Sequence, residues 1–554
     1  MASTSFDPAD TATAATDRPE LDRPELDQRV HPAGRWLFLG VLAGGFVYAA
    51  ASVFGDTAAV GEQLSFAVIA FLGLALLIAL GFEFVNGFHD TANAVATVIY
   101  TNSLSAPVAV VWSGVFNLLG VLLSSGAVAY SVVTLLPVEL ILNVGSNAGF
   151  AMIFALLLAA IIWNLATWYV GLPNSSSHAL IGSILGVGFA NQLLSSGTGG
   201  TSGVEWSQAQ KVLTGLAIAP VIGFAGAMIL LFVMRAILRN PKLYARPAAN
   251  EPPPTGIRAL LIFTCTAVSF AHGGNDGQKG MGLIMLILIG CAPTAYALNR
   301  AMPSVEASAL VASASNASAV FHAHAGSAVM APGAAREVLA SALKTKSAND
   351  PVVYAAIGDV AADIAAKLKL HGGLAHVPAN ATAALRNDMY LTLDASKLAI
   401  KGDKESAIFS AADRATVSLY QKGLEGATRF IPDWVKIAVA IALGLGTMVG
   451  WKRIVVTVGE KIGKTHMTYG MGASAELMAA TTILLADRFG LPVSTTHILS
   501  SGVAGATVAS GAGLQAATIR NMALAWILTL PAVMALAGGL YWVFLSIARS
   551  VGTA

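Results

Sequence analysis

The sequence predicts an all-α polytopic membrane protein with an inverted internal repeat, and its composition is the first reason. Of the 554 residues, 55% are hydrophobic and only 11% are charged, and the mean hydropathy is +0.69. A soluble chain of this size would carry about a quarter charged residues. Apolar runs of about 20 residues recur, and each is long enough to cross a hydrocarbon core about 30 Å thick. We therefore expect contact with membrane lipid and no nucleic-acid partner.

Apolar segments that could span the membrane follow one another along the chain. They lie near residues 36–54, 64–86, 106–130, 148–170, 172–195, 211–238, 258–291, 433–451, 471–487, 490–510 and 517–546. Ahead of them, residues 1–34 are polar and repetitive, which predicts a disordered tail rather than a cleaved signal peptide. Arg29 and Arg35 precede or begin the first segment, so we expect the N-terminus in the cytoplasm. Cys265 and Cys291 share one apolar region and predict buried thiols rather than a disulfide.

Two interruptions divide the apolar segments into two halves. Residues 239–257 are rich in proline and basic side chains, which predicts a cytoplasmic linker. Residues 294–432 predict an extramembrane insertion rich in alanine, with helices around DVAADIAAKLKL and ESAIFSAADRATVSLY. The first transmembrane repeat, with an extra N-terminal helix, then covers 35–238. The second repeat covers 258–293 and 433–554.

Two sequence motifs occur twice, in the same order. Motif A is FVNGFHD from Phe84 and FAHGGND from Phe270, at an offset of 186. Motif B is GLPNSSSHALIGSILG from Gly171 and GLPVSTTHILSSGVAG from Gly490, at an offset of 319. The chain crosses the membrane five times between the first motif A segment and the second. Because this number is odd, we expect the two halves to have opposite orientations in the membrane. Inverted repeats place a site at their interface near the midplane, and the insertion would then be extracytoplasmic.

Motif A predicts a polar stripe along a membrane helix. In the first copy, spacings of three, four and three put four side chains on one face, namely Glu83, Asn86, Asp90 and Asn93. In the second copy the same register holds Ser269, His272, Asp276 and Lys279. A charge at the centre of a membrane helix costs about 2.5–3.5 kcal/mol. Two aspartates kept at that cost favour a functional role over a structural contact between helices.

Motif B predicts hydroxyl groups at the start of a helix. After each Gly-Leu-Pro come three hydroxyl or capping positions and then a histidine, His178 or His497. The two runs are Ser175, Ser176 and Ser177, and Ser494, Thr495 and Thr496. Proline starts helices well and hydroxyls cap free N–H groups, so each tip offers donors at the positive end of a helix dipole. Such a tip binds an oxyanion without an arginine. Ordinary helix capping is the simpler interpretation, and the duplication argues against it.

Together the motifs describe a site for a tetrahedral anion and a coupling cation. The hydroxyl runs would hold the anion, whereas carboxylates alone would repel it. A cation between Asp90 and Asp276, or a proton on one of them, removes that repulsion, so we interpret both as coupling residues. Lys279 could contact the anion or pair with Asp276, and the residues alone do not separate these roles.

These stretches resemble the inorganic phosphate transporter family, in particular its bacterial low-affinity branch. The resemblance rests on NGFHDTANAVATVIYT, FAHGGNDGQKGMGLIMLILIG and both copies of motif B, and it extends from about Leu64 to Trp542. It implies a non-enzymatic protein of the bacterial inner membrane, without cofactor, that takes up inorganic phosphate by proton symport, partly as a divalent metal–phosphate complex. The predicted substrate-binding residues are Ser175, Ser176, Ser177, Ser494, Thr495, Thr496, Asn93, Gln278 and Lys279. The predicted coupling-ion residues are Asn86, His89, Asp90, Asn275 and Asp276.

Two positions depart from the pattern of sodium-coupled members, which tend to read GANDVANA in both copies. His89 replaces an amide oxygen that could ligate sodium, and Lys279 puts a positive charge nearby. Both changes favour protons over sodium as the coupling ion. The N-terminal tail and the helix expected at 36–54 have no role implied by the resemblance.

Other functions remain open on the residues alone. A permease of the same fold for another oxyanion such as sulfate fits the hydroxyl runs, and so does a sodium-coupled phosphate symporter. Serine near histidine in SSSH and STTH could indicate an intramembrane hydrolase, but the groups are too close in sequence to form an obvious triad. His322 and His324 in FHAHAG would need a third ligand to bind a metal, and we expect them to face solvent.

Overall fold

The computed structural model describes residues 24–26, 32–136, 146–195, 203–248, 251–326, 329–403 and 408–550. Most of the tail predicted at 1–34 therefore lies outside the described residues. The α-helices, in chain order, are α1 Pro32–Ala59, α2 Phe66–Tyr100, α3 Ala106–Leu122, α4 Ala127–Val133, α5 Asn147–Tyr169, α6 Ser176–Ser195, α7 Trp206–Ile237, α8 Thr255–Cys291, α9 Pro293–Tyr296, α10 Ser304–Ala325, α11 Pro332–Thr345, α12 Pro351–His371, α13 Ala379–Gly402, α14 Ala411–Thr428, α15 Asp433–Thr447, α16 Lys452–Glu460, α17 Tyr469–Arg488, α18 Thr495–Ser510 and α19 Ala516–Ser550. Short 3-10 helices lie at Pro241–Tyr244 and Leu374–His376. The predicted all-helical fold is confirmed.

Seven helices of the described chain are long and apolar enough to cross a membrane, namely α1, α2, α5, α6, α7, α8 and α19. Two further pairs, α3 with α4 and α14 with α15, pass the same test together but are bent by 77° and 67°. Gly126, just before α4, has a φ of +83° that favours glycine, so the segment predicted as one span at 106–130 is broken there. Because the crossings were counted on unbroken spans, the sidedness of the insertion stays a prediction.

The order of helices in the first half repeats in the second half. Helices α2 to α7 correspond in turn to α8, α15, α16, α17, α18 and α19. The packing is reciprocal, since α2 packs on α15 and α8 packs on α3. Gly87 lies against the carbonyl of Leu443, and its counterpart Gly273 lies against the carbonyl of Asn117. Reciprocal contacts between equivalent residues are what a two-fold axis relating the repeats would produce.

The central helices α2 and α8 run in opposite directions where they cross. Glu83 lies beside Gly280. Asp90, seven residues later in α2, has a carboxylate oxygen within 4.8 Å of one from Asp276, four residues earlier in α8. At the far end of each half, α6 packs on α19 and α18 packs on α7, so the two halves exchange their last helices. This arrangement is compatible with the predicted inverted repeat.

The residues predicted as an insertion form a helical layer with its own hydrophobic core. The aromatic rings of Phe321, Tyr354 and Phe409 contact one another in that core. Helix α12 contains the predicted helical stretch DVAADIAAKLKL. In the second predicted stretch, ESAIFSAADRATVSLY, the described residues begin at Ile408, and the helix begins at Ala411, where Ser410 caps α14.

The two histidines of FHAHAG lie in this layer and contact different acids. His322 Nε2 is 3.3 Å from Asp359, and His324 Nε2 is 3.5 Å from Asp413. Their side chains are 30% and 23% exposed, so they are half-buried rather than fully solvent-facing. The two imidazoles pair with different aspartates, so among the described residues they share no acid that could complete a metal site with both.

Candidate anion and cation site

Two helix tips meet in the core between the repeats. Tip 1 is 171–177, which leads into α6, and tip 2 is 490–496, which leads into α18. Gly171 and Gly490 have φ angles of +70° and +62°. Residues with a side chain rarely adopt this backbone region, so the glycine of motif B allows the sharp turn that ends α5 or α17 and starts each tip.

The two tips have the same cap and contact each other through equivalent residues. Ser175 Oγ accepts the backbone N–H of His178, and Ser494 Oγ accepts that of His497, both at 3.1 Å. The imidazole rings of His178 and His497 lie 4.4 Å apart between centroids. The capping that motif B predicted is therefore present in both copies, and it brings the two hydroxyl runs together.

Asp90 of α2 joins the two tips. Its Oδ2 accepts the hydroxyl of Ser176 from tip 1 at 2.5 Å, and its Oδ1 accepts the hydroxyl of Thr496 from tip 2 at 2.7 Å. His89 Nδ1 lies 3.0 Å from the same Oδ1. All four side chains are buried. The carboxylate of Asp90 therefore receives a hydroxyl proton donor from each half of the molecule.

Lys279 of α8 pairs with Asp276 and also contacts both tips. Its Nζ lies 2.6 Å from Asp276 Oδ1 and donates to Ser177 Oγ and to the carbonyl of Val493. Ser177 in turn donates to the Val493 carbonyl at 2.8 Å. The lysine is only 1% exposed, and a buried charge needs such pairing. Of the two roles considered for Lys279, the ion pair is present, and it also places the ammonium beside the hydroxyls of tip 1.

Several buried acceptor atoms between α2 and α8 have no hydrogen-bond partner among the described residues. They are Glu83 Oε1, Asn86 Oδ1, His272 Nε2 and Asp276 Oδ2. His272 Nδ1 donates to Asn117 Oδ1 at 2.7 Å, so a neutral ring leaves Nε2 as an acceptor. Asp90, His272 and Asp276 each offer a ligand atom within 4.8 Å of the others. Buried acceptors without donors are costly, and a proton or a cation bound among them would remove that cost.

Some of the predicted site residues make their contacts elsewhere. Two residues along a helix correspond to a rotation of about 200°, so Gln278 lies on a different face of α8 from Asp276. Its side chain accepts the N–H of Val128 and donates to Asp487 Oδ1 at 2.6 Å, which occupies it between α4 and α17. Asn275 donates to the carbonyl of Leu491 and so helps to fix tip 2. The side chain of Asn93 lies outside the described residues.

Sequence reasoning left two further buried titratable residues out of the site, one on a central helix and one that contacts both central helices. His272 was recognised only as a member of the polar stripe, and that stripe was the signal for it. Glu476 of α17 accepts the hydroxyl of Thr97 from α2 and, at 2.5 Å, the hydroxyl of Thr264 from α8. Its stretch, GASAELMAA, carries a single acid in an otherwise small and apolar segment, and that isolated charge is the signal that could have found it.

Taken together, an all-helical chain with two repeated halves and hydroxyl-bearing tips around buried carboxylates is a membrane transporter by fold and site. Comparison with known proteins specifies the class. A family model described as the phosphate transporter family matches residues 86–537. The chain belongs to this family, which is one of transporters and not of enzymes.

Curated relatives cover most of the chain. The low-affinity inorganic phosphate transporter PitA of Escherichia coli (strain K12) is 42% identical over 85% of this chain and 97% of its own length. PitB of the same organism is 39% identical over 86% and 98%. A low-affinity inorganic phosphate transporter of Buchnera aphidicola subsp. Acyrthosiphon pisum is 40% identical over 87% and 98%. Among solved structures, one titled "The sodium-dependent phosphate transporter" matches with a TM-score of 0.47 and 19% identity, over 86% of this chain and the whole of that chain.

Proposed function

We propose that this chain imports inorganic phosphate across a bacterial inner membrane by symport with protons. The names of the relatives support phosphate as the substrate. The observation that carries the proposal is the convergence of Ser176 and Thr496, one from each tip, on the carboxylate of Asp90. Donors that converge on one carboxylate from two sides can also converge on the oxygens of a phosphate ion.

Phosphate binds at the tips by taking these donors from Asp90. The hydroxyls of Ser176 and Thr496 turn to the anion, and the first N–H groups of α6 and α18 add the positive ends of two helix dipoles. Thr495 Oγ1 has no partner among the described residues and is a further donor. The ammonium of Lys279, already beside tip 1, offsets part of the negative charge.

The coupling proton binds at Asp90 when phosphate takes the hydroxyls. The carboxylate then loses two hydrogen-bond donors and lies beside an anion, and both changes favour the protonated form. His89, 3.0 Å from Asp90 Oδ1, is placed to exchange that proton. Asp276 is paired with Lys279 instead. Phosphate binding and proton binding therefore favour each other, as symport requires.

A divalent metal ion travels with phosphate as part of the substrate in this proposal. Asp90, His272 and Asp276 provide two carboxylates and one imidazole within 4.8 Å of one another. Carboxylate oxygens are the protein ligands that magnesium, calcium and manganese prefer. When a divalent cation is carried, it would take the place of the coupling proton at Asp90, and these three residues would hold it while the tips hold the anion.

Uptake of labelled phosphate into proteoliposomes tests the proposal, with pH, sodium and magnesium varied independently. Uptake should stop when the proton gradient is collapsed and continue when sodium is omitted. A strict sodium requirement would replace proton coupling by sodium coupling. A permease for another oxyanion is the remaining alternative, and an excess of unlabelled sulfate should leave phosphate uptake unchanged if phosphate is the substrate.

A further inference from the structure

A polar cavity of about 550 Å³ adjoins tip 2 and is separate from the contacts at Asp90. We call it the vestibule. It lies between α4, the junction of α14 with α15, and the end of α17. Its lining includes Gly490, the first residue of tip 2, and three basic side chains, Arg429, Lys436 and Arg488. Arg488 is exposed, so the vestibule reaches the outside of the chain.

The positive charge in the vestibule is largely uncompensated. The one acid in its lining, Glu425, lies 2.5 Å from Lys397 and 3.2 Å from Arg429. Lys436 and Arg488 form no ion pair with the described residues. Arg429 is 17% exposed, and its Nε is buried without a hydrogen-bond partner in the described part of the chain. An N–H donor without an acceptor and positive charges without a paired acid attract an oxyanion.

The vestibule adjoins tip 2 at Gly490, and a hydrogen-bonded side chain of α8 lies next to it. Gln278 accepts the N–H of Val128 from α4 and donates to Asp487, the neighbour of Arg488 in α17. Val128 and Asp487 are the chain neighbours of the lining residues Ala127 and Arg488, so this amide bridge from α8 lies next to the vestibule. Gln278 does not contact the hydroxyl runs, and these two hydrogen bonds explain why a polar side chain is found at this position.

We propose that the vestibule is a first anion site, in which Arg429, Lys436 and Arg488 collect free phosphate before it passes the Gln278 bridge to the tips. This inference rests on the proposed function. The charges raise the local concentration of phosphate, and the effect weakens as added salt screens them. If the insertion is extracytoplasmic as predicted, this site lies on the side from which phosphate enters.

The test compares a double variant, Lys436→Gln with Arg488→Gln, with a control of equal charge change, Lys369→Gln with Lys401→Gln. The two control lysines are exposed on the insertion and do not line the vestibule. Phosphate uptake by intact cells that lack other phosphate carriers should show a KM raised by about three- to tenfold in the vestibule variant. Its kcat should not change, and the difference should shrink at high ionic strength. The control should match the wild-type chain.

Phosphate binding by the purified proteins in an uncharged detergent separates free phosphate from lipid headgroups. The vestibule variant should bind phosphate more weakly there too. A normal KM in that variant, an equal loss in the control, or an effect that disappears in detergent and so requires anionic lipid would each overturn the proposal. Wild-type uptake in the same cells keeps this outcome distinct from failure of the proposed function, because absence of wild-type uptake would refute phosphate transport itself.

Discussion

His178 and His497 lie with their imidazole rings 4.4 Å apart, although 319 residues separate them in the chain. They occupy the same position in the two copies of motif B, so their contact joins equivalent points of the two halves. Asp90 holds the same two tips together through the hydroxyls of Ser176 and Thr496. An anion that enters between the tips must therefore compete with Asp90 for its donors, and this competition leads to the predictions below.

Substitution of either central aspartate should abolish transport. Asp90→Asn removes the charge that exchanges with phosphate, and Asp276→Asn leaves Lys279 as a buried unpaired cation. Labelled phosphate uptake should fall to background in both variants while the protein remains in the membrane. Asp359→Asn, which makes the same chemical change in the insertion, should keep wild-type uptake. Transport at the wild-type rate by either variant would show that the substituted aspartate is not a coupling residue.

Loss of one tip hydroxyl should weaken phosphate binding. Ser176→Ala or Thr496→Val removes a hydrogen bond to an anion, which contributes about 1.5–3 kcal/mol. The same bond is also lost from Asp90 in the empty site, so we expect the low end, a KM raised about tenfold. Thr496→Ser keeps the hydroxyl and should remain close to wild type. If Thr496→Val and Thr496→Ser gave the same KM, the hydroxyl would have no part in binding.

Neighbouring glycines of motif A should respond differently to a methyl group. A Cβ at Gly273 would lie 2.1 Å from the carbonyl oxygen of Asn117, whereas one at Gly274 would lie 3.6 Å from the nearest neighbour, the Gly120 carbonyl. Gly273→Ala must push α8 away from α3, at a cost of about 3 kcal/mol or more. Gly274→Ala should fold normally. Thermal unfolding followed by size-exclusion chromatography measures this, and equal stability of the two variants would contradict the packing of α3 on α8.

The response of transport to magnesium should depend on His272. Its buried Nε2 has no hydrogen-bond partner among the described residues, lies 3.6 Å from Asp276 Oδ2, and is within 4.8 Å of a ligand atom of Asp90. His272→Gln should reduce the stimulation of phosphate uptake by magnesium several-fold. His322→Gln, on a histidine that pairs with Asp359 in the insertion, is the matched control. An unchanged magnesium response in the His272 variant would exclude this residue from the cation site.

Much of the fold could be predicted because it is determined by local pattern. Apolar runs located the long helices, and the duplicated motifs indicated two halves before any contact was known. The break between α3 and α4 was missed because the two helices together are apolar enough for one span, although Ser125-Gly126 between them is a turn signal. The start of α14 at Ala411 was not predicted, because the exact first residue is decided by the capping contacts of Ser410 rather than by helix-forming composition.

The site was predictable only where residues repeat. Asp90 and the hydroxyl runs were identified because both motifs occur twice, and the structure brings them together. Gln278 was predicted to bind substrate, but the helical rotation between positions 276 and 278 takes its side chain to another face of α8. Glu476 has no repeated counterpart, and only tertiary packing of α17 against α2 and α8 reveals its contacts.

The number of protons taken up per phosphate bound tests the exchange at Asp90 most directly. It can be measured by calorimetric titration of the purified protein in buffers of different ionisation enthalpy, for the wild type and for Asp90→Asn. The variant keeps its tip hydroxyls and should still bind phosphate, but it should take up about one proton fewer than the wild type for each phosphate. Equal proton counts in the two proteins would show that the Asp90 carboxylate does not receive the coupling proton.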